Sequence, residues 1–194
     1  MDILYRCANN FSRLIDVEYI MVIGRKRNLV EIRLTFEKSD FHHLVGLHKL
    51  TDIEQLRSGM RERIFDSILS GKVSQEIIEK SSFYGEIEDR LICVEQIEEF
   101  LDNPNLYFQY DPSKNAFSAI AAEFVIQGDM DNAKGFLFID KRTHADGHFC
   151  RSFFSRDDTR YTQGLTKYTL LRKEKRNVIT GDSVVQYDRL TPKA

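Results

Sequence analysis

The feature that most constrains the fold is a change in the spacing of apolar residues near residue 103. Before it, apolar residues mostly recur every three or four positions, as on amphipathic helices. After the break Asn103-Pro104-Asn105, they fall into short runs of strand length separated by turn residues. Helices followed by successive strands indicate an α+β fold, with the helices covering one face of a sheet.

The C-terminal half predicts an antiparallel meander. Its strand-like runs are residues 106–110, 118–128, 133–140, 148–155 and 165–173. GDMDN and HADG are plausible hairpin turns between them. The last segment, VITGDSVVQYDRL, is either a further strand or a terminal arm.

The N-terminal half predicts a helix and a β-hairpin, then a helical block. Residues 3–15 have helical spacing, and residues 19–24 and 30–36 form the two hairpin strands. The capping-box spacing at 51–54 starts a helix that ends near Gly71, a short helix follows at 74–80, and another spans 86–101. We expect one domain over residues 1–194, with the helical block at about 51–102 and the sheet at about 105–175.

Charge divides the chain more clearly than the total of −2 suggests. Residues 51–102 hold 13 Asp and Glu against 6 Lys and Arg, a net −7, whereas residues 141–176 hold 10 basic against 4 acidic, a net +6. A polyanion such as RNA is therefore expected to meet the C-terminal part, and the acidic block suits a protein partner. The alternative is that both are solvated faces.

Several common classes of protein are excluded as first interpretations. The chain has no P-loop, Rossmann, zincin or nucleophile-elbow motif. Its three cysteines lack metal-ligand spacing and are expected to be small buried hydrophobes, so no cofactor or metal is predicted. Neither a secretory signal nor an apolar run of ~18–20 residues is present, so we expect a cytoplasmic protein without a membrane partner.

The segment DFHHLVGLHKL, residues 40–50, places three histidines inside an apolar run. Histidine exchanges a proton near neutral pH, so His43 and the nearby Lys49 are candidates for a cleft. Gly46 permits a positive φ or a close backbone approach. The alternative is that these histidines cap a helix or form hydrogen bonds in the core.

A second cluster lies on the predicted strands after residue 148. Ser152, Tyr161, Lys167 and Arg172 can bind phosphate, and Phe153 and Tyr161 can stack on bases. Strict alternation puts Cys150, Ser152 and Phe154 on one face of the strand. The alternative is that the aromatic residues are core and the cations are solvated. Arg90, in an acidic helix, is expected to pair with Glu86 unless it binds substrate.

Three features together resemble a known family. They are DFHHLVGLHKL after a strand, a helical block with an Arg90-type helix, and SFF followed by a tyrosine before a basic strand. The chain resembles the phage-associated barnase–EndoU–colicin–RelE-like nucleases over residues 19–172. That resemblance implies helices followed by an antiparallel sheet whose face carries the active site of a metal-independent ribonuclease.

The resemblance also implies site residues. Catalytic positions carried over are His43, Lys49, Ser152, Tyr161 and Lys167, and substrate-binding positions are Arg90, Phe153 and Arg172. The hypothesis requires His43 and Lys167 to converge on one phosphate, and the sequence leaves open whether His42 or His43 faces the cleft. The alternative function is a non-catalytic module that binds RNA or a protein partner on the same fold.

Overall fold

The computed structural model describes residues 2–130 and 133–191. They form seven α-helices and eight strands in a mixed α+β fold. The helices are α1 Ile3–Ser12, α2 Lys38–Leu44, α3 Glu54–Ser58, α4 Arg61–Leu69, α5 Gln75–Ile78, α6 Glu88–Glu95 and α7 Ile97–Asp102. The strands are β1 Val17–Arg25, β2 Asn28–Leu34, β3 Leu106–Gln109, β4 Phe124–Met130, β5 Ala133–Lys141, β6 His148–Arg156, β7 Thr166–Asn177 and β8 Ser183–Asp188.

The sheet closes on itself and is not the simple meander that the sequence predicts. Strands β3 to β6 do follow one another antiparallel, but β7 crosses to the far side of β3 and also pairs with β1. The hairpin β1–β2 then meets β6 through a short parallel contact at Leu34 and His148. The ring order is β1, β2, β6, β5, β4, β3 and β7, with β8 added beside β7.

The sheet closes because strand β7 is long enough to form hydrogen bonds with three other strands. Its start pairs with β3, whereas its remainder pairs with β1 on one edge and β8 on the other. A strand with both edges hydrogen-bonded leaves no free edge of its own. The final segment is therefore a strand, which settles the alternative left open by the sequence.

One face of the ring packs on the helices and forms the main core. Helix α1 buries Leu4, Cys7 and Phe11, and the ring of Phe11 makes edge contacts with Phe41 and Phe65 of α2 and α4. A smaller core on the opposite sheet face includes Phe136, Phe138 and Phe154. The three cysteines are free and buried, as predicted.

Several predicted boundaries are corrected. The helix expected from residue 51 starts at Glu54, because the carboxylate of Asp52 instead binds Ser81 and Ser82. It is also split near Gly59 into α3 and α4. The helix expected over 86–101 is divided into α6 and α7, and residues 118–123 precede strand β4 as a loop. The predicted turn GDMDN includes residues 131–132, which lie outside the described part. The longest described helix, α1, has 10 residues, too few to cross a bilayer.

Candidate active site

A cleft of about 420 Å³ lies where helices α2 and α6 meet strand β6. We call it the central cleft. It is lined by His43, His48, Lys49, Arg90, Ala119, Ile120, Ala121, Arg151 and Ser152. Among the described residues, its lining holds cations and imidazoles but no carboxylate.

Helix α2 determines which histidine faces this cleft. Its first turn is fixed by Asp40, whose side chain accepts a hydrogen bond from the Glu37 backbone N–H at 2.8 Å. Asp40 also forms a buried two-point ion pair with Arg142, at 2.6 and 3.2 Å. With the helix held this way, His42 points inward and its Nε2 lies 2.6 Å from the Leu56 carbonyl. His43, one residue later, faces the cleft.

His43 and His48 form an imidazole pair whose ring centres lie 4.5 Å apart. The pKa of His43 is lowered to about 4 by burial and then by the positive charge of Arg61. The pKa of His48 is also lowered to about 4, by burial first and then by His42 and Arg90. Both rings are therefore neutral at pH 7 in the free protein and available to accept a proton.

Arg90 is the central cation of the cleft. Its guanidinium donates to Ser152 Oγ at 2.9 Å and lies 5.6 Å from the ring centre of Phe154. The predicted ion pair with Glu86 is wrong, because that carboxylate pairs with Lys49 at 3.3 Å. Within residues 2–130 and 133–191, no carboxylate lies within ion-pair distance of Arg90. Burial, followed by the charge of Arg156, lowers the pKa of Arg90.

A β-bulge in β6 brings Arg151 and Ser152 to the cleft. Phe138 of β5 pairs with Ser152 and the next residue, Ile139, pairs with Cys150, so Arg151 is the extra residue. The bulge breaks the strict alternation that the sequence suggested. Cys150 joins the main core, whereas Ser152 faces Arg90. Bulges of this kind redirect side chains and are common beside active sites.

Tyr161 lies one layer behind the cleft. It is half-buried, with its ring centre 5.0 Å from that of Phe154 and 5.5 Å from that of Phe136. Because Phe154 packs against the Arg90 guanidinium, Tyr161 supports the wall on which Arg90 rests. It does not line the central cleft itself.

The structure does not bring the other predicted site residues to this cleft. Lys167 lines a separate cavity of about 380 Å³ between β3 and β8, together with Asp102 and Lys173. The expected convergence of His43 and Lys167 is absent because β7 and β6 are not neighbours in the ring.

Two predicted substrate-binding residues are engaged elsewhere. Phe153 is fully buried, with its ring centre 4.7 Å from that of Phe100. Arg172 pairs with Glu174 at 2.9 Å and with Asp188 at 3.6 Å. Neither side chain is positioned to contact a ligand in the central cleft.

Sequence reasoning missed His48 and Arg151 as site residues. His48 was visible in the histidine-rich segment, and its spacing of five from His43 across a flexible glycine was the available signal. Arg151 had no such signal, since alternation assigned it to the face opposite Ser152. No group of three or more His, Cys, Asp or Glu side chains arranged to hold a metal ion occurs in the described part of the chain.

Comparison with family models gives a match over residues 3–190 to the family described as phage-Barnase-EndoU-ColicinE5/D-RelE like nuclease 4. The chain belongs to this family. Comparisons with curated proteins and with solved structures found no match. The match covers nearly the whole chain, so it assigns the family without selecting a site, and the central cleft is the candidate active site on the chemistry of its lining.

Proposed function

We propose that this protein is an RNA endonuclease that cleaves by transesterification in the central cleft and leaves a 2′,3′-cyclic phosphate. The observation that carries the proposal is Arg90, a mostly buried guanidinium that has no carboxylate partner in the described residues and faces a cleft with His43 and His48. An arginine removed from water needs an anion, since it stays charged in proteins. A bound phosphodiester would supply that anion.

Three groups are suited to hold the scissile phosphate. Arg90 and Arg151 offer guanidinium donors, whose fork matches the geometry of phosphate oxygens. The hydroxyl of Ser152 accepts its hydrogen bond from Arg90, so its own proton remains available for a phosphate oxygen. Lys49, paired with Glu86 at 3.3 Å, adds a positive charge at the rim. These cations would stabilise the charge that develops on the phosphorane.

The imidazole pair is suited to move the two protons of the reaction. His43, neutral at pH 7, takes the proton of the 2′-OH as that oxygen attacks phosphorus. His48 gives a proton to the departing 5′-oxygen, which requires that the bound phosphate raise its pKa. An anion a few ångströms from an imidazole stabilises the charged ring and shifts the pKa in that direction.

The chemistry of the lining supports a mechanism without a divalent metal. Mg²⁺ is held mainly by carboxylate and other oxygen ligands, and the described lining offers no carboxylate. RNA carries its own nucleophile, so a base, an acid and a charge stabiliser suffice for cleavage. This is also why RNA, with its 2′-OH, is the proposed substrate and DNA is not.

The test is cleavage of several purified RNAs in excess EDTA, with analysis of the 3′ ends. We expect 2′,3′-cyclic phosphate ends, no cleavage of matched DNA, and losses of about 100-fold or more for His43→Ala. Arg90→Lys should recover only part of the activity that Arg90→Met loses, because an ammonium cannot make two parallel hydrogen bonds.

Lys167→Ala is the matched control, since this lysine lines another cavity and its loss should leave the rate unchanged. If a folded wild-type protein binds RNA but never cleaves it, the non-catalytic alternative replaces the proposal. If cleavage persists in His43→Ala at the wild-type rate, the assignment of the base is wrong.

A further inference from the structure

A second cleft, of about 300 Å³, adjoins the central one. We call it the side cleft, and its lining includes Arg61, His144 and Phe149, together with Arg142 and the two carboxylates paired with it, Glu37 and Asp40. Strand β6 connects the two clefts, because Phe149 lines the side cleft and Arg151 lines the central cleft. Arg61 also lies close enough to His43 to be the second cause, after burial, of that ring's lowered pKa.

Phe149 is an aromatic ring with cationic neighbours. The Arg142 guanidinium carbon lies 5.5 Å from its ring centre, and that of Arg151 lies 5.8 Å away. The ring is only partly buried and lines an open cleft, unlike Phe153, which is fully buried on the same strand. A partly exposed aromatic ring among guanidinium groups is the kind of platform on which nucleobases stack.

Arg61, Arg142 and Arg151 differ in whether the fold already pairs them with a carboxylate. Arg142 is buried and held by Asp40, Glu37 and Thr35, so it serves the fold. Arg61 and Arg151 are exposed, and neither has an ion pair with a described carboxylate. A base that stacks on Phe149 can displace the exposed Arg151 guanidinium, which is then free to contact phosphate.

We propose that the side cleft binds the nucleotide next to the scissile phosphate, with its base on Phe149 and its phosphate on Arg61. This inference rests on the proposed function and names the substrate more closely, as single-stranded RNA that extends beyond the cleaved bond. A base paired in a duplex has its faces covered by neighbouring bases and is not available to stack on Phe149. Cleavage is therefore restricted to unpaired RNA.

The natural chain contains no tryptophan, which allows a direct test of stacking. In Phe149→Trp, the emission of the single indole should be quenched when a non-cleavable 2′-O-methyl pentanucleotide binds, and not when inorganic phosphate binds. Phe83→Trp, at an exposed aromatic position in the helical block, is the matched control and should show no quenching. Unchanged emission of Phe149→Trp at saturation, with binding verified by anisotropy of a labelled oligonucleotide, would overturn the proposal.

Affinity measurements give a second test that does not depend on the tryptophan variant folding. Phe149→Ala should weaken pentanucleotide binding about 5- to 150-fold, the range of one stacked base, and leave the binding of inorganic phosphate unchanged. Arg61→Gln should make the slope of log affinity against log salt concentration shallower by about one, the value of one phosphate contact. Arg63→Gln, in the same helix, should leave this slope unchanged. Equal effects of the two arginine variants would remove Arg61 from the subsite.

The outcomes separate this inference from the proposed function. If RNA is cleaved but neither Phe149 nor Arg61 affects binding, the side cleft is not a subsite and the nuclease proposal stands. If no RNA is cleaved while the quenching and the affinity losses occur, the subsite stands and the catalytic proposal fails.

Discussion

Arg90 is a mostly buried arginine that has no carboxylate partner among the described residues. Ion pairs stabilise several other arginines of this protein, including Arg142, which lies against Asp40 at 2.6 Å. Arg90 instead relies on Ser152, the Leu44 carbonyl and the face of Phe154. A charge with neutral partners only is costly to bury, so its retention is best explained by an anionic ligand.

The imidazole pair leads to a prediction about proton affinity. The NMR titration of the His43 and His48 ring protons should show midpoints below pH 5 in the free protein, in line with a pKa of about 4. Saturating inorganic phosphate should raise both midpoints by about one unit or more, because an anion between Arg90 and the rings favours imidazolium.

Assignment of these signals uses His43→Gln and His48→Gln, each of which removes one resonance. Titration midpoints near pH 6.5 would contradict the burial of the two rings. Midpoints that do not change when phosphate is added would contradict the anion site.

Among the elements, the turn between α2 and the short 3₁₀ segment Leu47–Lys49 determines how closely the histidine segment approaches Arg90. Gly46 occupies that turn with a φ of 83°. A Cβ at this position would lie 2.9 Å from Ile87 Cγ2 and 3.0 Å from Arg90 Cδ. The glycine that the sequence suggested for a positive φ or a close approach therefore serves both purposes, and it lets α2 pack directly on the stem of Arg90.

Gly46→Ala should consequently lower both stability and activity. The positive φ costs about 1–2 kcal/mol for alanine, and the contact with Arg90 adds to it, so we expect a loss of about 2–3 kcal/mol in urea denaturation. RNA cleavage should fall by about tenfold or more because a displacement of about 1 Å in a charge-stabilising group is enough to do so.

Gly71→Ala separates the two effects. Gly71 has a φ of 74°, but no atom of the described residues lies within 4 Å of a Cβ built there. Gly71→Ala should lose only the part of the unfolding free energy that comes from the positive φ, and it should cleave RNA at the wild-type rate. Equal losses of activity in the two alanine variants would show that the Arg90 contact has no functional effect.

At the scale of the whole molecule, closure of the sheet decides which residues can act together. It places β6 and β7 apart in the ring, so the basic C-terminal part does not form one surface around the cleft. The cations of the proposed phosphate sites come from α6, from the bulge in β6, from the 3₁₀ segment that ends at Lys49 and from the start of α4. A protein partner for the acidic helical block stays a prediction.

The three histidines of α2 and its following turn should also make the whole protein sensitive to acid. His42, His43 and His48 all have pKa values lowered in the fold, chiefly by burial. Between about pH 6.5 and 4 these histidines are protonated in the unfolded chain but remain neutral in the folded chain. The free energy of unfolding is therefore highest above pH 6.5 and decreases as the pH falls. We expect a loss on the order of 2 kcal/mol between pH 7 and 4.5, measured by urea denaturation.

The buried Asp40 works in the opposite direction, since burial raises its pKa and acid then stabilises the fold through this group. The double variant His43→Gln/His48→Gln should flatten the decline, and His144→Gln, at an exposed loop position, should not. A stability that stays constant from pH 7 to 4.5 in the wild type would contradict the lowered pKa values.

Local pattern in the sequence was enough for most of the elements, and four of the six polar residues that line the central cleft were also selected from the sequence. The spacing of apolar residues gave α1, the hairpin and most of the later strands, because side-chain periodicity depends only on neighbours along the chain. Residue chemistry together with the family resemblance selected His43, Lys49, Arg90 and Ser152, all of which line the cleft. The same selection included Phe153, Tyr161, Lys167 and Arg172, which do not line it.

Only the tertiary structure decided which of these residues meet. The crossing of β7 separated Lys167 from His43, and the bulge at Arg151 put Cys150 and Ser152, expected on one face, on different sides of the strand. The choice between His42 and His43 depended on a hydrogen bond to Leu56, fourteen residues away. Strand pairing, bulges and burial depend on contacts between distant segments, and the periodicity of one segment carries no information about them.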